Sequence, residues 1–180
     1  MIILASSSPT RAKILSNFGV EFRQISMQYD ENLPKCEPKS YAMNIVNEKS
    51  KQFFAKFKGE FDRVLFADSS VIAGGQILGK AKDINEARNI LNLQSGSVAS
   101  IYTAMKFIST KFKIDMLSVA TYRFAKFNEK ELEDYLQSGL WQGKAGAMMI
   151  EGFNKQYILQ SHGNTSTAMG LDIENLKVFL

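Results

Sequence analysis

The chain opens with a short apolar run, Ile2-Ile3-Leu4, then three serines, then a segment whose apolar residues recur three and four positions apart. The run predicts a buried strand, and Ile14, Leu15 and Phe18 predict a helix that turns this stripe inward. Ser8 is placed to cap the helix, Pro9 suits its first position because no N–H is needed there, and Gly19 closes it. Residues 20–25 read as a second strand. A polar loop over 28–39 follows, carrying Asp30, Glu31, Pro34 and Pro38.

A long helix is predicted over 40–58 from Ala42, Ile45, Val46 and Phe53. Lys49 lies four residues from both Ile45 and Phe53, so it falls on the buried face. An ammonium there resists desolvation unless it is paired or snorkels out. Residues 64–67 read as a strand ended by a polar break at 68–70. A second apolar run at 71–73 then turns through Gly74-Gly75 into Ile77-Leu78. A helix begins near Asp83 and closes at Gly96, and 98–109 and 112–125 read as two long strands joined by a tight turn. Asn128 and Glu131 resemble a capping box for a helix ending at Gly139. Two short strands are expected around Gly152, and 174–180 as a helical turn or two. The mixture without strict alternation predicts an α/β fold of the mixed α+β kind. It would be one long curved sheet flanked by helices, in a single domain over 1–180 with room for two lobes around a cleft.

Composition narrows the function classes. The 180 residues are 45% hydrophobic and 22% charged, enough for a core without staples, and one cysteine, Cys36, excludes a disulfide framework or a cysteine-rich metal site. No apolar run reaches the ~18 residues of a membrane span, and 2–5 is too short for a signal peptide, so a cytoplasmic protein is expected. The net charge of +4 comes from dispersed Lys and Arg without a basic block. That distribution suits phosphate-bearing partners as well as an ordinary solvated surface, and does not by itself argue for nucleic acid.

Several residues could carry chemistry. Ser6, Ser7 and Ser8 put hydroxyls and N–H groups at a helix start, where the dipole favours anions, and Arg11 follows one turn later. The same pattern also describes an ordinary capped corner. Asp68 follows an apolar strand, a place for a metal ligand or a base towards water, yet it would equally serve a turn with Ser69 and Ser70. Gly74, Gly79 and Lys80 match the outline of a phosphate-binding P-loop. Ala81 stands where Ser or Thr is required, so the segment reads instead as a hairpin delivering Lys80. His162 reads as a loop histidine without a partner, Met148-Met149 as core, and Cys36 as lacking a histidine to activate it.

Taken together, "LASSSPTRAKIL", "NEKS", "ADSSV", "ILGKAKDINEARNIL", "QSGSVASIYT", "KAGAMMIEGF" and "GNTSTAMGL" resemble, in order, the Maf family of nucleoside triphosphate pyrophosphatases, long called septum-formation inhibitors. The resemblance implies a curved mixed sheet with a deep cleft, related to the inosine-triphosphate pyrophosphatases. It also implies cleavage between the α- and β-phosphates, a required divalent cation such as Mg²⁺ or Mn²⁺, and often a homodimer. Carried over by position, Ser6, Ser8, Arg11, Lys49, Ser69, Lys80 and Glu151 would bind substrate. Glu31 and Asp68 would hold the metal, and Asp68, Glu31 and Lys80 would form the catalytic set, with Asp68 as base. Such a site would also give Lys49 its reason for being buried.

The chain departs from the family at Thr10, where an arginine is frequent, and at Ser69, Ala99, Glu151 and Asp172, where threonine, histidine, glutamine and proline are usual. These changes resemble the branch that prefers 7-methyl-GTP over the branch that prefers dTTP and UTP. A carboxylate at Glu151 can accept from a guanine edge, whereas a glutamine amide suits a pyrimidine. A non-catalytic regulator of cell division or a nucleic-acid binder is the alternative class, and a relative that has lost activity is a third. The presence of both carboxylates favours the enzyme.

Overall fold

The computed structural model describes residues 1–32 and 36–180, so Pro34 lies outside the described residues. Seven strands form one mixed sheet: β1 (Ile2–Leu4), β2 (Phe22–Gln24), β3 (Arg63–Ala73), β4 (Gln76–Leu78), β5 (Val98–Ser109), β6 (Lys113–Phe124) and β7 (Ile158–His162). The order is β2-β1-β3-β5-β6-β7, with β4 also paired to β3. β1 runs parallel to β2 and β3, and the remaining pairings are antiparallel. The helices are α1 (Pro9–Asn17), α2 (Pro38–Phe57), α3 (Ile84–Gln94), α4 (Glu129–Ser138) and two single turns, α5 (Thr165–Ala168) and α6 (Ile173–Leu176).

Strand alternation sorts the core. Ile2, Leu4, Leu65, Ala67, Met105 and Phe107 face α1 and the C-terminal turns, where they meet Ile14, Leu15, Leu171, Ile173 and Leu176. Ile3, Ala5, Val64, Phe66 and Ala104 point the other way, onto Ala42, Val46 and Phe53 of α2. Phe53 sits among the rings of Phe54, Phe57, Phe61 and Phe66 with centroids 4.5–5.9 Å away, and this cluster anchors α2 to the sheet. A third cluster joins Leu78, Ala87, Leu91, Ile101, Tyr122, Phe124 and Tyr135 beneath α3 and α4.

Some expectations are corrected. Phe18 is 45% exposed and caps α1 instead of joining its buried stripe. β3 runs unbroken for 11 residues, so 68–70 is not a break and Asp68 lies mid-strand. Residues 141–152 form turns with a single bridge, Lys80 to Ala145, and no strand leads directly into Gly152. The chain there makes a 3₁₀ segment, Phe153–Tyr157, before β7. His162 ends β7 instead of lying in a loop. The Gly74-Gly75 turn forms as read: φ is +57° and +74°, the left-handed pair that a two-residue hairpin needs.

One feature of the sheet positions the site. β1 pairs with β3 only at Val64 and Leu65, and β4 pairs on the same side only from Val71 onward. Between them the β3 edge at 66–70 has no neighbouring strand among the described residues, while its other side is fully paired to β5. The loop leaving β1 and the chain leaving β4 therefore flank a gap that contains Asp68 and Ser69.

Candidate active site

A cleft of about 790 Å³ opens at this gap, and every site residue singled out in the sequence lines it: Ser6, Ser8, Arg11, Glu31, Lys49, Asp68, Ser69, Lys80 and Glu151. They fall into three groups.

The first is built by the start of α1. Ser8 caps the helix, its Oγ accepting from the Arg11 N–H at 3.3 Å, and Ser6 Oγ accepts from the Ser8 N–H at 3.2 Å. The Gln24 side chain donates to the Ser6 carbonyl at 2.7 Å and ties this loop to β2. The Arg11 guanidinium donates from Nε to the Gly170 carbonyl at 2.8 Å, from Nη1 to Ser6 Oγ at 3.1 Å and from Nη2 to Ser69 Oγ at 3.4 Å. Gly170 has φ +102°, and a Cβ there would stand 3.4 Å from Arg11 Nε, so glycine suits this close approach. Burial pulls the Arg11 pKa down, and the nearby charges of Asp68 and Glu31 oppose that shift. No carboxylate pairs directly with Arg11 among the described residues. A desolvated cation held only by neutral groups is a receptor for an anion.

The second group is a triad. Lys49 Nζ lies 2.6 Å from Asp68 Oδ1 and 2.8 Å from Glu31 Oε1. The Asp68 side chain descends from β3 on the α2 face, and Lys49 meets it from the α2 stripe that also carries Ile45 and Phe53. Glu31 is brought over by a clamp on its neighbour: Gln52 accepts from the Asp30 N–H at 2.9 Å and donates to its carbonyl at 2.8 Å. Tyr29 lines the same wall, its ring 5.8 Å from Lys49 Nζ, and burial pushes its phenol up to about 12. Tyr41 on α2 is also raised, by burial first and then by the charges of Asp68 and Glu31.

The third group forms the far wall. Lys80 leaves β4 and bridges to Ala145, while the Gly146 N–H donates to the Leu78 and Gly79 carbonyls at 3.1 and 2.9 Å. Buried Gln94 donates to the Gly146 carbonyl at 2.6 Å. These bonds pin the 142–148 loop against the hairpin, and the wall carries Lys80, Gln142, Lys144, Met148 and Glu151. Lys80 makes no ion pair among the described residues and is exposed. Met148 is buried, as expected of core, and also lines the cleft.

The cleft also takes in Lys144 and Tyr29, and Ser69 contacts buried Thr103 of β5 at 2.8 Å, three residues the sequence does not single out. Lys144 had a signal, its place in "KAGAMMIEGF", whereas a threonine inside a β-run has none.

The donor set can be tested against a divalent metal. Among the described residues no three or more His, Cys, Asp or Glu side chains converge, but two carboxylates do, on the point the Lys49 ammonium occupies. One or two carboxylates, completed by water and phosphate oxygens, make up a usual Mg²⁺ site in triphosphate enzymes. Glu31 and Asp68 therefore fit an ion that arrives with a phosphorylated ligand.

A family model described as Maf-like protein matches residues 1–180, the whole chain. The chain belongs to the Maf family. A Campylobacter jejuni protein named nucleoside triphosphate pyrophosphatase is 45% identical to this Maf chain over 183 aligned residues, covering all of both. Proteins of the same name from Nitratiruptor and Helicobacter pylori are 43% and 35% identical, covering 98% and 97% of this chain and 96% and 92% of their own. Among solved structures, the Staphylococcus aureus Ham1 protein aligns with 69% of this Maf chain and 71% of its own at 14% identity and TM-score 0.47.

Proposed function

We propose that this chain hydrolyses a nucleoside triphosphate between its α- and β-phosphates, releasing the monophosphate and pyrophosphate. The observation that carries the reading is a single cleft containing a partly buried guanidinium without a carboxylate partner among the described residues and two carboxylates converging on one ammonium. Cations for a polyphosphate and a carboxylate for water are what phosphoanhydride hydrolysis needs. The family relatives named for that activity support it.

In this reading the phosphates lie against the Ser8 helix start, Arg11, Lys49 and Lys80. Asp68 orients a water and takes its proton. The water oxygen bonds to phosphorus as the bridging P–O bond breaks, and the charge gathering on the leaving pyrophosphate meets the lysine and arginine donors. Glu31 and Asp68 would hold a divalent cation, which when bound neutralises charge on the phosphate oxygens. Lys49, whose ammonium lies between the same two carboxylates, would add its charge to the phosphate-binding donors.

The base would lie towards Met148, Ile150 and Glu151. Met148 and Ile150 offer apolar surface, and the Glu151 carboxylate only accepts, which matches the N1–H and amino group of guanine. We therefore read the substrate as a modified guanine nucleotide such as 7-methyl-GTP, removed in the cytoplasm as a house-cleaning step. The test is a nucleotide panel assayed for pyrophosphate with Mg²⁺ or Mn²⁺ and with chelator. Metal-dependent turnover of 7-methyl-GTP ahead of dTTP and UTP is expected. The reverse order would overturn the base assignment, and no pyrophosphate from any nucleotide would overturn the reaction.

A further inference from the structure

We infer that Thr103 is a positioning residue that acts through Ser69 to fix the Arg11 guanidinium at the phosphate end of the cleft. This inference deepens the proposed reaction and rests on it.

Thr103 is fully buried in β5, directly across from Ser69 in the β3–β5 ladder. Its Oγ1 lies 2.7 Å from the Thr167 carbonyl oxygen. A carbonyl has nothing to donate, so the single hydroxyl proton of Thr103 goes there. The 2.8 Å contact between Thr103 Oγ1 and Ser69 Oγ must then be Ser69 donating to Thr103. With its proton committed, Ser69 turns lone pairs towards Arg11 Nη2, which can only donate. The chain runs one way, from Arg11 to Ser69 to Thr103 to the Thr167 carbonyl.

Two consequences follow. First, Ser69 does not offer its hydroxyl proton to substrate while this chain is intact. Its part in substrate binding is exerted through Arg11. Second, Arg11 has five N–H bonds and spends three, on Gly170, Ser6 and Ser69. The two left over sit one on each terminal nitrogen, and each can donate to a phosphate oxygen. A guanidinium held at three points has little rotamer freedom left to lose when phosphate binds. The anchors come from distant parts of the chain: Ser6 after β1, Ser69 on β3, and Gly170 after α5, whose Thr167 ends the relay.

The test compares Thr103→Val, which keeps the shape and removes the hydroxyl, with Thr103→Ser, which keeps the hydroxyl. At matched folded fraction, Thr103→Val is expected to raise KM for the triphosphate about tenfold with kcat within about threefold, as loss of a binding donor does. Thr103→Ser is expected to restore KM, and Ser69→Ala combined with Thr103→Val to be no worse than Ser69→Ala alone, because both cut the same relay. A Thr103→Val KM within twofold of wild type, a deficit shared by Thr103→Ser, or additive effects would overturn the inference. A second readout needs no turnover: hydrogen exchange of the Arg11 guanidinium N–H signals by NMR, slow in wild type and Thr103→Ser and faster in Thr103→Val. Unchanged exchange in Thr103→Val overturns the relay. If the wild type hydrolysed no triphosphate, the proposed reaction would fall while this exchange measurement still decided the positioning claim.

Discussion

Replacing Asp68 by asparagine separates its structural part from its chemical one. Asparagine keeps an oxygen 2.6 Å from Lys49 Nζ but no charge, so the ion pair becomes an ammonium–amide hydrogen bond, still assisted by the lysine's charge and weaker by about 1 kcal/mol. The ammonium still has Glu31 at 2.8 Å, although that side chain is 45% exposed and screened, so its support is discounted. The net loss is about 1 kcal/mol, which in a chain of this length lowers Tm by about 2–4 °C. Against a total stability of about 5–15 kcal/mol the variant stays folded. Its activity should change far more: a lost general base costs about 10²–10⁴-fold in rate. Pyrophosphate release, a thermal melt and titration with a non-hydrolysable triphosphate analogue are measured on the same preparation. The expected result is turnover down by about a thousandfold, the small Tm shift, and analogue affinity within a few-fold of wild type. Turnover within threefold of wild type would remove Asp68 as base. Affinity lost in step with turnover would make Asp68 a substrate ligand instead of an activator of water.

Two further perturbations test the same geometry. Lys49→Met leaves both carboxylates without their cation, and should cost about 2–3 kcal/mol by denaturant melt, more than Asp68→Asn. Adding Asp68→Asn to it should recover part of that loss, whereas simple additivity would mean the pair is not coupled. Asp172 is buried, which alone would raise its pKa, but hydrogen bonds from Ser118 at 2.5 Å, from Asn164 at 3.0 Å and from the Asn175 side chain at 2.8 Å outweigh burial and hold it below the usual range. A lowered folded pKa gives stability that is present at neutral pH and lost as pH falls from the unfolded value near ~3.9 towards the folded one. Asp172→Asn should therefore destabilise by about 1–2 kcal/mol at pH 7 and by visibly less at pH 3 in denaturant melts, and an equal gap at both would refute the assignment.

Legibility in the sequence followed the physical origin of each feature. α1 was readable because its start depends on local chemistry, a serine cap and a proline at the first position. Lys49 was readable as anomalous because a charge at Ile45–Phe53 spacing contradicts a buried stripe, and the contradiction resolves in the triad. β3 was misread as broken because its middle is Asp68-Ser69-Ser70, and polar residues in a strand ordinarily signal its end. The strand continues because β5 pairs it throughout, a long-range fact with no local trace. α5 and the turns over 141–152 were missed for a related reason. They are held by tertiary bonds, such as Gln94 to the Gly146 carbonyl and Thr103 to the Thr167 carbonyl, instead of by any period of their own.

That misreading also points to why the site lies where it does. Successive residues of a strand face opposite sides of the sheet, so Asp68 belongs to the α2 side and Ser69 to the α1 side. In a fully paired sheet they would serve two separate surfaces. Here β1 ends its pairing at Leu65 and β4 begins at Val71, which leaves one edge of the strand open between them. The cleft wraps around that edge, so the carboxylate–ammonium triad of one face and the arginine relay of the other open into the same space. In the proposed reaction, this brings the cation cradle and the carboxylate that would activate water within reach of one triphosphate without any element crossing the sheet. Within the polar run of β3, Asp68 and Ser69 line the cleft on opposite faces of that open edge, and the proposed chemistry uses both.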